Sequence, residues 1–218
     1  LEFRRVLFRS YEYDPVRRTY ATRAPMPTSR GGGGAALIDG RIYVAGGRPP
    51  RGNDFAVYDP AANSWRTLPD LPSQRNHVGA VALGGKFYVI GGRLEAGFES
   101  AMTAVVEVYD PATNQWSTRA PLPRPRGGLN AVVAHGYIHT LGGEGTDDTP
   151  TGVFPDHDVY DPSRNLWIKL PPMPMPVHGV TGASFINGLI HLTGGGVMEG
   201  GASGDTMHQV FRPATSYR

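Results

Sequence analysis

The chain has 218 residues, 39% of them hydrophobic, and no cysteine. That apolar content sustains a packed core and excludes wholesale disorder, while the missing cysteine excludes a disulfide framework, thiolate metal ligands and a thiol nucleophile. The formal charge of +2 is carried by the first ten residues, LEFRRVLFRS; beyond them basic and acidic side chains balance at 18 each. A neutral body lacks the electrostatic footprint of a nucleic-acid or anionic-membrane binder. No apolar run approaches the roughly 18 residues of a bilayer span, and no secretory signal pattern is present. Residues 1–10 share none of the periodicity that follows and read as a translated adapter or cloning scar.

Glycine and proline, 30 and 20 residues, fall at periodic positions. Tyr-Asp-Pro begins at Tyr13, Tyr58, Tyr109 and Tyr160, in steps of 45, 51 and 51, and Phe211-Arg212-Pro213 is a degenerate fifth copy. An aromatic stands seven residues after each Tyr, at Tyr20, Trp65, Trp116 and Trp167, so all three tryptophans are in register. Paired glycines end an apolar run at Gly46-Gly47, Gly91-Gly92, Gly142-Gly143 and Gly194-Gly195. A fixed period of this length is the signature of a repeat architecture.

Within one repeat four short strands are predicted. Ala80-Val81-Ala82-Leu83 meets the two-residue turn Gly84-Gly85, a strong hairpin signal. Phe87-Tyr88-Val89-Ile90 then runs to the paired glycines, where strands can crowd together. The third strand ends at Tyr109, the Asp110–Asn114 segment turns the chain, and Trp116 opens the fourth strand. Prolines at Pro121 and Pro123 mark the exit from the sheet. Four strands in 45 to 51 residues make one β-propeller blade. Residues 11–24 supply a third and a fourth strand, whole blades span roughly 35–68, 80–119 and 131–170, and 183–212 supply strands one to three of another.

The Gly-Gly, Tyr-Asp-Pro, Asn-x-Trp and Pro-x-Pro spacing resembles the kelch repeat, over residues 11–218. The resemblance implies an all-β kelch-type propeller with repeats at about 11–30, 31–75, 76–126, 127–178 and 179–218. In the bacterial kelch proteins that the chain resembles, the C-terminus follows such a third strand and the N-terminus donates the fourth. The four to five blades' worth here are therefore expected to be the C-terminal part of a six-bladed ring. Such relatives are often exported, so a periplasmic or extracellular location is expected if a signal peptide lies upstream.

Loops after strands two and four emerge on one face, and the step from the second glycine to the aligned aromatic varies there between 11 and 17 residues. The opposite face carries tight turns, Asp39-Gly40, Gly84-Gly85, His135-Gly136 and Asn187-Gly188. Ligands are expected on the variable face. Arg30, Arg75 and Arg126 each lie twelve residues before a second-strand Ile42, Phe87 or Ile138, and the same count from Ile190 reaches His178. In kelch propellers that bind acidic peptides, arginines at this position line the central pocket, and the resemblance carries that role to these three. Their planar fork suits carboxylates; packing between blades or capping of a loop carbonyl is the competing reading. Arg48, Arg93 and Glu144, directly after the paired glycines, are candidate rim residues.

Weaker signals are read as structural. Asp147-Asp148 and Asp156-His157-Asp158 match no calcium loop, so no metal site is expected. His139 and His191 align with Tyr43 and Tyr88 as blade-packing residues, and Gly31–Gly34 lacks the Lys-Ser/Thr of a phosphate loop. Two functions follow. The first is a binding module gripping a protein segment or an acidic ligand, without covalent chemistry or cofactor. The alternative is a carbohydrate-active enzyme resembling a sialic-acid mutarotase, with His77, His178, Glu99 and Glu144 as candidate bases. Copper-radical oxidase chemistry of the galactose oxidase kind needs a tyrosine–cysteine crosslink, which these residues cannot form.

Overall fold

The computed structural model describes residues 9–95, 97, 100–145, 149–179, 182–201 and 203–218. Every regular element among them is a β-strand, and none of the described residues forms a helix long and apolar enough to cross a membrane. β1 (Ser10–Asp14) and β2 (Thr19–Arg23) form a two-stranded sheet. Three four-stranded meanders follow. They are β3 (Gly34–Ile38), β4 (Arg41–Ala45), β5 (Phe55–Asp59) and β6 (Ser64–Thr67); β7 (Gly79–Leu83), β8 (Lys86–Ile90), β9 (Val106–Asp110) and β10 (Gln115–Arg119); and β11 (Asn130–Ala134), β12 (Tyr137–Leu141), β13 (His157–Asp161) and β14 (Leu166–Lys169). β15 (Ala183–Ile186), β16 (Leu189–Thr193) and β17 (His208–Phe211) make a three-stranded sheet. These are the blades expected from the repeat, strand for strand. The first strands β3, β7, β11 and β15 lie side by side around the propeller axis.

The hairpin turns between first and second strands explain their sequences. Both central residues have positive φ, 47° and 75° at Asp39-Gly40 and 51° and 83° at His135-Gly136, the geometry that matches the twist of paired strands. The Tyr-Asp-Pro turn is held by its own side chains. Asp59 Oδ1 accepts from the backbone of Ala61 and Ala62, Asp161 Oδ1 does the same for Ser163 and Arg164, and Tyr58, Tyr109 and Tyr160 donate to Asn63, Asn114 and Asn165. Each Asn takes a left-handed φ between 44° and 57°, which its short amide side chain tolerates.

Tryptophan ties neighbouring blades together. The indoles of Trp65, Trp116 and Trp167 donate to the carbonyls of Ala24, Pro69 and Ala120 at 3.0, 2.9 and 2.8 Å, each on the exit segment of the preceding blade. Apolar residues fill the spaces between consecutive blades in three clusters. Tyr43, Phe55, Phe87 and Tyr109 dominate the first; Tyr88, Ile90, Ile138 and Tyr160 the second; Leu141, Val177, Ile190 and Leu192 the third. At the narrow axial end a side chain has no room: a Cβ at Gly79 would stand 2.9 Å from Leu129 of the next blade.

Candidate functional site

Paired glycines shape the axial mouth. The second of each pair has φ between 117° and 151° at Gly47, Gly92, Gly143 and Gly195, and a Cβ there would press on Arg30 Cβ, the carbonyl of Asn76, the carbonyl of Gly127 and Val177 Cβ respectively. The backbone amides of Gly47, Gly92 and Gly143 donate to the carbonyls of Arg75, Arg126 and Val177 of the next blade. A second set of backbone bonds runs around the axis: His77 N to Gly32 O, Gly128 N to His77 O, and Gly179 N to Gly128 O, at 2.6 to 2.8 Å. Gly32, Gly128 and Gly179 have positive φ, and His77 adopts 53° in the same place. A histidine held in the left-handed region is backbone strain of the kind that clusters at functional sites.

These contacts bring four of the expected residues to one place. Arg48, Arg93, Glu144 and His178 line an open cavity of about 450 Å³ together with His77, Ser203 and the glycines of 195–204. Arg93 Nη2 donates to Glu144 Oε1 at 2.7 Å, both almost fully buried. The other carboxylate oxygen of Glu144 accepts from the backbone of Gly200 at 3.0 Å and lies 3.1 Å from His178 Nδ1. His178 Nε2 meets the carbonyl of Met198 at 2.8 Å, so both ring nitrogens face oxygens. Arg48, an exposed residue, reaches His77 Nε2 with Nη2 at 3.3 Å. Burial first, then the nearby Arg48 and Arg93, lower the pKa of His77, so its ring stays neutral at pH 7.

Arg75 and Arg126 lie outside this cavity. Both have no solvent exposure. Arg75 binds Glu107 and the carbonyls of Gly91, Val89 and Ser73; Arg126 binds Asp158 at 2.8 Å, Thr140 Oγ1 at 3.0 Å and the carbonyl of Arg124. These are the contacts of the competing, packing reading, and both guanidiniums are closed off from solvent. His178 is corrected in alignment: Val177, not His178, takes the arginine position, and the bridges Asn76–Arg93, Gly127–Glu144 and His178–Gly196 are equivalent. The fourth repeat has one residue more between Gly179 and Gly182 than the third has between Gly128 and Asn130, which shifts any count taken back from Ile190. Arg30 lies away from the mouth, against a separate cavity.

The weaker signals also find places. His139 is buried and shares a 3.0 Å hydrogen bond with His157, as expected of a blade-packing residue, and His191 pairs likewise with His208. Asp156, His157 and Asp158 face different partners, respectively Arg124, His139 and Arg126. Glu99, Asp147, Asp148 and the segment 1–8 lie outside the described residues. His77 entered the sequence reading only as a candidate base; the signal for its place at the mouth is that the other repeats put glycine in its backbone position.

A family model described as the KLHDC2/KLHL20/DRC7 Kelch-repeats domain matches residues 11–195. Among curated proteins the chain is 40% identical over 102 residues to the Kelch-like protein terF of Aspergillus terreus, covering 46% of this chain and 22% of that one. It is 34% identical over 194 residues to Beta-scruin of Limulus polyphemus, covering 87% of this chain and 16% of the relative. The Kelch-like ECH-associated protein 1A of Danio rerio is 30% identical over 105 residues, covering 47% and 17%. The chain thus spans about a fifth of the length of these relatives or less. The solved structure of YjhT superposes with a TM-score of 0.71 at 23% identity, covering 86% of this chain and 66% of that one, and shares its fold. The blades, their motifs and this match over most of the sequence place the chain in the kelch-repeat family.

Proposed function

We propose that this propeller is a binding module whose axial mouth grips an acidic segment of a partner protein, with no covalent chemistry. The observation that carries the reading is Arg48. It stands exposed at the rim of the cavity, and among the described residues no carboxylate pairs with it, whereas Arg93 is already bonded to Glu144. Among the described lining residues two guanidiniums stand against one carboxylate. A guanidinium fork with free donors is suited to an incoming Asp or Glu side chain. Kelch-repeat relatives support a protein ligand, and the name of the Danio rerio relative itself records association with another protein.

The test is selection from a displayed random peptide library, followed by fluorescence anisotropy of the enriched peptides on the full protein and on Arg48→Ala. Enrichment of Asp and Glu is expected, with affinity falling about tenfold in the variant, the loss of one charge-assisted contact of about 1.4 kcal/mol. Peptides without acidic enrichment, or binding unchanged in Arg48→Ala, would reject the reading.

One arrangement favours a second function. His77, Glu144 and His178 line the same cavity as two arginines, which is the composition that ring opening of a sugar acid would use: a cation for the carboxylate and a proton carrier beside it. Anomer exchange of N-acetylneuraminate followed by NMR decides it. Exchange at the buffer rate removes the mutarotase reading and leaves the binding module.

A further inference from the structure

One ring at the mouth has its hydrogen placed by its neighbours. Asn76 is buried, and its Nδ2 donates to the carbonyls of Arg93 and Glu95 at 3.2 and 3.0 Å. Carbonyl oxygens only accept, so a flipped amide would set its own oxygen against both of them. The amide therefore has one orientation, in which Oδ1 is in hydrogen-bond contact with His77 Nδ1. That oxygen also only accepts, so the neutral His77 ring carries its hydrogen on Nδ1 and its lone pair on Nε2. The lone pair is where Arg48 Nη2 donates, at 3.3 Å.

The charged and titratable groups that face this ring come from four elements: Arg48 after β4, Arg93 after β8, Glu144 after β12 and His178 ahead of β15. Glu144, the one carboxylate among them, is already engaged by Arg93, His178 and the Gly200 amide. A proton added to Nε2 removes the acceptor that Arg48 uses and sets two cations against each other. An incoming carboxylate at Arg48 reverses that balance, because it accepts from the guanidinium on one side and from the new Nε2–H on the other. Burial first, then Arg48 and Arg93, hold the pKa of His77 below its ordinary value, so the free ring is neutral and has a proton to gain.

We propose, on the acidic-segment reading of this mouth, that the acidic ligand enters together with a proton from solvent, which His77 Nε2 takes up, so that binding tightens as the pH falls. Nδ1 keeps its hydrogen and its bond to Asn76, so the ring is charged without being turned. Ligand and proton favour each other to the same extent: a ring pKa raised by one unit on binding tightens the ligand about tenfold once the ring is charged in both states. Asp and Glu side chains of the ligand, with ordinary pKa values of about 4, remain ionised in the mildly acidic range where this happens.

The probe is the acidic peptide most enriched in the selection described above, used on the full protein. Proton–nitrogen correlation spectra of the histidine rings at about pH 7.5 should show His77 with a hydrogen on Nδ1 and none on Nε2, and adding the peptide at about pH 5.5 should convert it to the doubly protonated ring. Anisotropy with a label that does not titrate in this range should show affinity rising by up to about tenfold between those two pH values. In His77→Asn, whose short amide side chain tolerates the left-handed backbone, that rise should vanish. A hydrogen on Nε2 in the free protein, a ring left neutral in the complex, or a rise that survives in His77→Asn overturns the proposal. Equal affinity at both pH values, lost in Arg48→Ala, overturns the proton uptake and leaves the binding module standing; a mouth that takes no acidic peptide at either pH overturns both.

Discussion

Arg126 is fully buried, and its partners decide what that burial costs. Desolvation lowers its pKa, while Asp158 at 2.8 Å, itself unexposed, works in the opposite direction. Breaking a buried pair from one side strands a charge. Arg126→Met is therefore expected to cost about 3–5 kcal/mol in urea unfolding. The double variant Arg126→Met with Asp158→Leu should recover much of that; a double variant as unstable as the single one would contradict the pairing. His139 and His157 give a prediction in pH. Burial holds their pKa values down to about 3 and about 4, with each further lowered by a neighbouring cationic or histidine group. The unfolded chain binds these protons near pH 6.5, the folded chain only well below it. Stability should be unaffected by this pair above about pH 6.5 and fall below it, by up to about 1.4 kcal/mol per pH unit for each ring. In His157→Asn the slope of unfolding free energy below about pH 6.5 should drop by up to about 1.4 kcal/mol per pH unit, and an unaltered slope would refute the assignment. The arginine positions were legible from spacing, but their role was not. Periodicity says which residues are equivalent; it does not say that Glu107 and Asp158, which lie 32 residues further on, wait at the other end of the side chain.

At the scale of the blade, punctuation residues carried most of the information. The two-residue turns, the Tyr-Asp-Pro corners and the tryptophans predict strand boundaries because each has one local geometry that it satisfies. Glycines divide into two kinds that the sequence does not distinguish. Gly136 sits in an open hairpin turn, and a Cβ there would meet nothing within 4 Å; at Gly142 it would collide with the carbonyl of Val177, which already accepts from Gly143. Both have positive φ, 83° and 64°. Gly136→Ala should cost about 1–2 kcal/mol, the left-handed penalty alone, and Gly142→Ala distinctly more, as measured by thermal unfolding. Equal losses would contradict the packing at the mouth. The fourth repeat shows where counting fails: a single added residue between Gly179 and Gly182 moves His178 out of the arginine register and into the mouth.

Across the whole molecule, stacking of blades converts a one-dimensional repeat into one shared opening. Arg48, Arg93 and Glu144 are 45 and 51 residues apart, yet each follows a glycine pair at the end of a second strand and so arrives at the same rim. That convergence was legible once the period was known. The contribution of Ser203 and the glycines around it was not, because the loop before β17, close in length to its counterparts in the second and third repeats, shares little of their sequence beyond the paired glycines. The proposed binding module reads its ligand at this mouth and not on the face of tight turns. Its most direct measurement is an NMR titration of a selected acidic peptide into the full protein, following backbone amides on both faces. Shifts confined to His77, Gly128, Gly179 and Gly196, and lost in Arg48→Ala, are the predicted result. Shifts centred on Gly84, Gly85, Gly136 and Gly188 would contradict it.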